Sequence, residues 1–225
     1  MDSTPIAILA GGLATRMRPL TDAVPKSMLP VRGRPFLAHQ IDYLRAQGLR
    51  RIVVCVGHLG EQISSYFGDT LEYSFDGPIP LGTAGAIRRA LPLLGERFFV
   101  IYGDSWLPVD FSAILNSFVS SRSSALMTVY RNENRWDRSN VWFDGGRIRA
   151  YDKTNPLSEM QHIDYGLSVF SATAFRHVPP DAKFDLADLF GTLLGSGDLA
   201  AHEVHDRFYE IGSPAGLEEF VHDFQ

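Results

Sequence analysis

The sequence predicts an α/β protein in which a mixed, mainly parallel β-sheet lies between helices and becomes partly antiparallel toward the C-terminus. Strand and helix patterns alternate over residues 1–130, which is typical of parallel strands joined by helical crossovers. Residues 52–56 form a continuous apolar, β-branched run, as in strands that are buried on both faces of a parallel sheet. After residue 131, short strands around a glycine turn replace this alternation and indicate antiparallel pairing.

Hydrophobic period and breaking residues divide the first half into elements. Gly11 and Gly12 end the first apolar run, and apolar residues recur at helical spacing between Leu37 and Leu44. Pro92 weakens the end of the third helix. We predict strands over residues 6–10, 52–56, 71–74, 98–102 and 125–130, and helices over 35–47, 61–67, 84–94 and 111–118.

The second half begins with a β-hairpin, because two strand-like runs flank the turn formed by Asp144, Gly145 and Gly146. We see no repeat, low-complexity tract or linker, so we predict a single domain over residues 1–225, with halves 1–130 and 131–225. The predicted strands are 141–143, 147–151, 167–170, 200–204 and 208–211, and the predicted helices are 186–194 and 214–224.

Composition excludes several classes of protein. With 225 residues, of which 45% are hydrophobic, the chain can bury a substantial core. No stretch approaches the roughly 18 continuous apolar residues of a membrane span, and the first residues lack the pattern of a secretory signal, so we expect a cytoplasmic protein without a membrane partner. Cys55 is the single cysteine, which excludes a disulfide framework. The net charge of −5, without a long basic patch, argues against a nucleic-acid partner.

The most informative segment follows the first predicted strand. Residues 9–21 read LAGGLATRMRPLT, and residues 25–30 read PKSMLP. Paired glycines after a buried strand let backbone N–H groups approach an anion without an intervening side chain. Arg16 can offer a planar fork to phosphate oxygens, and Lys26 adds a compact mobile charge. The spacing matches neither a P-loop nor a GxGxxG motif, so we predict a phosphate cradle of another kind.

This segment resembles the opening motif of the sugar-1-phosphate nucleotidylyltransferases, LAGGxGTRLxPLT followed by PKxxxP. The resemblance implies a Rossmann-like fold in which Arg16 acts on the leaving β- and γ-phosphates and Lys26 contacts the reacting phosphates. Ala14 departs from the usual glycine, and its methyl group is costly if that position requires a positive φ. The nucleotide-binding loop implied by the resemblance comprises Leu9, Ala10, Gly11, Gly12, Ala14 and Thr15.

Two further segments match the family in the same order. Residues 81–86 read LGTAGA and resemble its LGTAG segment, which implies that Gly82, Thr83 and Ala84 help to hold the base and ribose. Asp104 directly follows a buried strand, where an acid needs a cation or a hydrogen-bond donor. The resemblance implies that Asp104 ligates Mg²⁺ together with Glu210, which stands in EIGSP where the family has DxGTP.

The sugar side carries weaker matches. Lys153 follows an acid, as in the family's EK pair, and the resemblance implies that it contacts the sugar phosphate. Asp164 and Gly166 lie where the family places an acid or asparagine and a glycine near the sugar hydroxyls. The resemblance thus covers nearly the whole chain, and it implies that residues 1–130 bind nucleotide and residues 131–225 bind the sugar phosphate.

The resemblance implies transfer of a nucleoside monophosphate from a nucleoside triphosphate to a sugar 1-phosphate, with release of pyrophosphate, for bacterial surface polysaccharides. Heptose 1-phosphate guanylyltransferases and N-acetylmuramate 1-phosphate uridylyltransferases are the most similar members, so GTP is slightly favoured and UTP or CTP stay open. The sequence leaves open whether the protein is a monomer or a homo-oligomer.

Two other functions are consistent with the sequence. Ala14 and Glu210 would suit a catalytically silent sensor of nucleotides or nucleotide sugars. A single-domain glycosyltransferase also ends a strand with a metal-binding acid, but residues 104–106, Asp-Ser-Trp, lack the second aspartate of a DxD motif. Pyrophosphate release separates the transferase from both alternatives.

Overall fold

The computed structural model describes residues 4–224, so the expectation about a secretory signal rests partly on residues outside this range. A nine-stranded sheet forms its centre, in the order β10-β9-β11-β6-β1-β4-β5, and β8 joins β11 to β12. These strands are β1 (Ile6–Leu9), β4 (Ile52–Val56), β5 (Glu72–Phe75), β6 (Arg97–Tyr102), β8 (Ala125–Arg131), β9 (Val141–Asp144), β10 (Arg147–Tyr151), β11 (His162–Ser171) and β12 (Leu199–Val204).

Residues 4–224 contain six α-helices, and their positions confirm the helical periods in the sequence. Pro92 lies inside the third helix, which continues to Leu94 despite the missing N–H donor. The helices are α1 (Phe36–Ala46), α2 (Gly60–Phe67), α3 (Gly82–Leu94), α4 (Phe111–Ser121), α5 (Leu186–Gly195) and α6 (Pro214–Asp223).

The parallel part of the sheet contains β6, β1, β4 and β5. Ile8 pairs with Val54 on one side and with Ile101 on the other. All five residues of β4 are buried, and alternate residues enter the hydrophobic cores on the two faces of the sheet. The continuous apolar run therefore marks a strand covered on both faces, as predicted.

The antiparallel part is built on β11, which pairs antiparallel with β6, β8 and β9. This strand is longer than the predicted 167–170, and its pairing with β8 is irregular between Asp164 and Ser168. Gly166 lies in the irregularity with φ +93°, a conformation that favours glycine. Strands from both sides of residue 130 therefore share one sheet, with β6 between β1 and β11.

Two small sheets lie outside the main one. The strand predicted over residues 208–211 is only Tyr209–Glu210 (β13), and it pairs with Ser105–Trp106 (β7) rather than with the main sheet. Phe208 and Ile211, the apolar residues on either side, are buried but lie outside the strand pairing, so their hydrophobicity overestimated the length of the strand. A short hairpin of Pro30–Val31 (β2) and Arg34–Pro35 (β3) was not predicted. Among residues 4–224, no helix is long and apolar enough to cross a membrane.

Candidate active site

Two cavities open at the carboxyl ends of the parallel strands, where α/β sheets bind ligands. Their volumes are about 300 and 330 Å³. Both are lined by Tyr102 and Asp104, so they meet at the end of β6. We call the cavity beside the glycine loop the first cavity and the one beside Lys153 the second cavity.

The glycine loop forms one wall of the first cavity. A Cβ atom on Gly11 would lie 3.0 Å from the backbone nitrogen of Gly57, and one on Gly57 would lie 2.8 Å from the carbonyl oxygen of Gly11. Only glycine fits at this contact between the ends of β1 and β4. Four of the loop residues expected to bind nucleotide line the cavity, namely Leu9, Ala10, Gly11 and Gly12.

The loop then turns at Ala14, which has φ +48° and ψ +37°. The carbonyl oxygen of Ala14 accepts hydrogen bonds from the backbone N–H of Met17, at 3.0 Å, and the hydroxyl of Thr21, at 2.9 Å. The left-handed conformation considered for this position is therefore present. In the described chain, Ala14 and Thr15 line neither cavity, and the structure gives them a part in shaping the loop.

Two basic residues of the loop, Arg16 and Lys26, face different cavities. Lys26 lines the first cavity, and its ammonium group contacts the carboxylate of Asp104. Arg16 lines the second cavity. The cations therefore flank the point where the cavities meet, rather than sharing one phosphate pocket.

The start of α3 closes the first cavity opposite the glycine loop. Gly82 and Thr83 line the cavity, whereas Ala84 is fully buried beneath it. The backbone N–H groups of Ala84 and Gly85 both donate to the carbonyl oxygen of Phe184, at 2.9 and 3.0 Å. Because these donors are already used, the helix start shapes the cavity and does not offer them to phosphate.

Asp185 completes this contact. Its Oδ1 accepts a hydrogen bond from the backbone N–H of Thr83 at 3.1 Å, and the N–H of Leu186 donates to the Thr83 hydroxyl at 2.7 Å. Asp185 also lines the first cavity. A residue of the second half of the chain thus contributes to the first cavity, which no local sequence pattern indicated.

Asp104 and Glu210 are brought together by the pairing of β7 with β13, in which Glu210 lies opposite Ser105. A Cβ atom on Gly212 would lie 3.4 Å from Glu210 Oε1 and 3.7 Å from Asp104 Oδ2. Burial raises the pKa of Glu210, and the nearby Asp104 charge raises it further. A bound cation would relieve both effects, so the two carboxylates fit a hard divalent ion.

The part of the chain that the structure describes contains no group of three or more histidine, cysteine or acidic residues able to hold a metal. A cation at Asp104 and Glu210 would therefore take its remaining ligands from water and substrate phosphates. That division of ligands is usual for Mg²⁺ and unusual for a structural metal site.

Lys153 lines the second cavity and is held by Asp164. Asp164 Oδ2 lies 3.2 Å from the Lys153 ammonium and accepts a hydrogen bond from the Tyr151 hydroxyl at 3.3 Å. Asp164 Oδ1 accepts from the backbone N–H of Gly166 at 3.1 Å. Burial alone would lower the pKa of Lys153, but the Asp164 charge and neighbouring groups outweigh it and raise that pKa. Asp164 therefore keeps Lys153 charged and in place.

Asn140 is a second-cavity residue that the sequence did not indicate. It is 8% exposed, and its Oδ1 accepts a hydrogen bond from the backbone N–H of Asp164 at 2.9 Å. Among the described residues, the amide nitrogen of Asn140 has no hydrogen-bond partner, so it is available to donate to a ligand in this cavity. Asp76 lines the first cavity and was also missed, although it follows a strand just as Asp104 does.

The fold and the two joined cavities define an α/β protein that binds ligands at the carboxyl edge of a Rossmann-like sheet. The family profile for nucleotidyl transferase matches residues 6–138. The chain belongs to this family, and its relatives place it among the sugar-1-phosphate nucleotidyltransferases.

Two curated relatives illustrate the range of the family. A D-glycero-α-D-manno-heptose 1-phosphate guanylyltransferase of Aneurinibacillus thermoaerophilus is 32% identical over 81% of this chain and 81% of its own length. A UTP–glucose-1-phosphate uridylyltransferase of Synechocystis is 29% identical, and the match covers 84% of this chain but only 55% of the relative.

The fold is also found in a solved structure, HddC of Yersinia pseudotuberculosis complexed with GMP-PN. It superposes with a TM-score of 0.80 at 24% identity and covers 98% of this chain and 99% of that one. At this identity the likeness supports the fold alone.

Proposed function

We propose that this protein transfers a nucleoside monophosphate from a nucleoside triphosphate to a sugar 1-phosphate and releases pyrophosphate. The observation that carries the proposal is the meeting of two cavities at Asp104. The first contains the glycine loop and Lys26, and the second contains Arg16 and Lys153. Two anionic substrates can therefore reach one carboxylate from different sides.

In the proposed reaction, an oxygen of the sugar 1-phosphate attacks the α-phosphorus of the nucleotide. A new P–O bond forms, and the bond to the bridging oxygen of the β-phosphate breaks, so pyrophosphate leaves with that electron pair. The nucleophile is already anionic and needs no general base. The main demand on the protein is to align two polyanions and to offset their repulsion.

The basic residues fit three tasks in this reaction. Lys26 reaches the α-phosphate from the first cavity, because its ammonium group lies beside Asp104. Lys153 holds the phosphate of the sugar, with Asp164 fixing its position. Arg16 lines the second cavity, so its role on the leaving β- and γ-phosphates requires the polyphosphate to extend past Asp104 toward that cavity. Gly166 has no side chain and so allows the sugar to approach the backbone closely, and Asn140 donates a hydrogen bond to the sugar.

We further propose that Mg²⁺ is the divalent cation at Asp104 and Glu210. When bound, it supplies charge neutralisation and alignment of the phosphate oxygens. The same proposal extends to a cytoplasmic enzyme of bacterial surface polysaccharide synthesis, since heptose 1-phosphate is the named substrate of one relative. The named relatives use guanine and uracil nucleotides, so family membership leaves the base open.

The test is a pyrophosphate-release assay with Mg²⁺, four nucleoside triphosphates and a panel of sugar 1-phosphates that includes heptose, N-acetylmuramate, glucose and mannose. Release that requires one nucleotide and one sugar 1-phosphate together is the expected result. Binding without release across the panel would support the silent sensor instead. Consumption of a nucleotide sugar without pyrophosphate would support the glycosyltransferase.

Asp104→Asn should lower turnover by roughly a hundredfold or more, because the amide removes the charge on which both cation and Lys26 depend. The matched control is Asp69→Asn, which changes an exposed acid outside both cavities. Far-UV circular dichroism should be unchanged in both variants. Near-normal turnover in Asp104→Asn would remove Asp104 from the mechanism.

A further inference from the structure

Asp76 is a buried acid that the proposed reaction does not use. It follows β5, at the outer edge of the parallel strands, and lines the first cavity with only 8% of its surface exposed. Within residues 4–224, the sole hydrogen bond to its carboxylate is a long one, 3.5 Å from the backbone N–H of Leu81 to Oδ2. Burial raises the pKa of Asp76, which reflects this poor solvation.

The neighbouring cation is committed elsewhere. Arg89 donates to the backbone carbonyl oxygens of Phe75 and Asp76 and to the carboxylate of Asp181. It therefore fixes the backbone at residue 76 but does not pair with the Asp76 carboxylate. A carboxylate that is nine-tenths buried without a close donor is costly, and a ligand with N–H groups would offset that cost.

The space beside the carboxylate is kept open by glycine. A Cβ atom on Gly57 would lie 3.4 Å from Asp76 Oδ2, so a larger side chain there would cover the oxygen. Leu9, Cys55 and Ala86 give this end of the cavity apolar walls. A flat ring can lie against these walls with its polar edge toward Asp76.

Sheet geometry places Asp76 at the end of the cavity away from the phosphates. Asp76 follows β5 and Asp104 follows β6, and the order β6-β1-β4-β5 separates them by three strand spacings. At roughly 4.8 Å per spacing, the separation is on the order of 14 Å. That distance suits a nucleotide that lies across the strand ends, with its α-phosphate at Asp104 and its base at Asp76.

We propose that Asp76 selects guanine, so that the nucleotide substrate is GTP. This inference rests on the proposed function and names its nucleotide. Guanine presents two adjacent donors, N1–H and the 2-amino group, which match the two oxygens of a carboxylate. Uracil and thymine flank their single N–H with carbonyl oxygens, and cytosine and adenine place a ring acceptor beside the amino group. Each of these bases sets an acceptor against a carboxylate that can only accept.

Calorimetric titration of the full chain with GTP, ITP, UTP, CTP and ATP in Mg²⁺ tests the selection. A bidentate contact predicts that GTP binds roughly ten- to a hundredfold more tightly than UTP. ITP lacks the 2-amino group and should bind several-fold more weakly than GTP. Equal affinity for GTP and ITP, or a preference for another base, would overturn the inference.

Asp76→Asn tests the residue itself. The amide offers one donor and one acceptor, which suit uracil better than guanine, so the ratio of GTP to UTP affinity should fall at least tenfold. Glu72→Gln is the matched control, because it removes an exposed acid from the same strand and should leave the ratio unchanged. An unchanged ratio in Asp76→Asn would refute the assignment.

Two readouts separate the possible failures. Inorganic pyrophosphate, which has no base, should bind the wild type and Asp76→Asn equally if the variant is folded. If Asp76→Asn does not fold, the comparison of GTP and ITP affinity for the wild-type protein still tests whether guanine is selected. If the wild type binds no nucleoside triphosphate, the proposed function itself fails, whereas tight binding of UTP refutes only the choice of base.

Discussion

Ala14 shows how a single residue can be held in an unfavourable conformation by its surroundings. Its left-handed backbone places a methyl group where glycine would carry no steric cost. The hydrogen bonds from Met17 and Thr21 to the Ala14 carbonyl oxygen fix the loop in this shape. The methyl group of Ala14 therefore carries a steric cost that lowers the stability of the loop.

Ala14→Gly should raise the free energy of unfolding by up to about 1.5 kcal/mol. Removing the steric cost of a left-handed alanine raises the free energy of unfolding by roughly 1–2 kcal/mol. The greater conformational freedom of glycine in the unfolded chain lowers it by about 0.5–1 kcal/mol. Urea denaturation measures the difference. A loss of stability on this substitution would show that the methyl group makes a favourable contact.

The buried carboxyl of Asp76 makes stability depend on pH. Burial raises its pKa in the folded protein, while the N–H of Leu81 and the charge of Arg89 oppose the shift without cancelling it. Its contribution to stability is therefore complete below the ordinary carboxyl pKa and is lost as the pH rises through the raised value. Above that value the folded state carries a poorly solvated charge.

Asp76→Asn removes this titration and should gain stability relative to the wild type as the pH rises from about 4, the ordinary carboxyl pKa. Thermal midpoints of the two proteins, measured without nucleotide over pH 4–8, give the difference. Glu72→Gln, at an exposed position on the same strand, should show little such trend. A constant difference between wild type and Asp76→Asn would mean that Asp76 does not titrate as inferred.

At the scale of elements, the segment 182–185 fixes the start of α3. The backbone of Phe184 makes hydrogen bonds on both sides of Gly82. Its N–H donates to the carbonyl oxygen of Leu81, and its carbonyl oxygen accepts from the N–H groups of Ala84 and Gly85. A Cβ atom on Gly82, which has φ +70°, would lie 2.7 Å from the Phe184 carbonyl oxygen. The glycines of the LGTAG segment are thus required by a contact between two protein segments.

Gly82→Ala should therefore destabilise the fold by more than about 2 kcal/mol, because positive φ and a backbone clash act together. Nucleotide affinity should fall as well, since Gly82 lines the first cavity. Gly191→Ala is the control: Gly191 lies inside α5 with no atom within 4 Å of its Cβ position, and alanine should add roughly 0.5–1 kcal/mol there. Equal effects of the two substitutions in urea denaturation would contradict this account.

At the scale of the whole molecule, the two halves of the chain, residues 1–130 and 131–225, contribute strands to one sheet. The central strand β6 pairs with β1 from the first half and with β11 from the second. Glu210, near the C-terminal end, pairs beside Asp104. Neither half can complete the site or cover its strand edges without the other.

We therefore expect a single cooperative unfolding transition. Trp106 and Trp142 lie on opposite sides of residue 130, so tryptophan fluorescence and far-UV circular dichroism should follow coincident curves in urea. A fragment of residues 1–130 should lack a cooperative transition, because β6 would lose its partner β11. Two separate transitions in the full chain would show that the halves fold independently.

The sequence predicted most of the elements because their signals are local. The run of β4 and the helical spacing of α1 follow from burial and period alone. Shorter elements lacked such signals, which is why β13 was placed as a longer strand and the β2–β3 hairpin was missed. Asp104 was recognised through a motif, whereas Asp76 and Asn140 had no motif to mark them.

By itself, the sequence determined the order of strands and helices, the glycine loop and the family, because hydrophobic period and a contiguous motif are readable along the chain. Only the tertiary structure decided that Arg16 and Lys26 face different cavities and that Asp185 holds the start of α3. It also decided that Asp76 has no close hydrogen-bond donor among the described residues. These facts depend on contacts between residues far apart in sequence, such as Thr83 and Asp185, which are 102 positions apart. At such a separation in sequence, the spacing along the chain does not determine the distance between two residues in space. The packing of the sheet determines that distance.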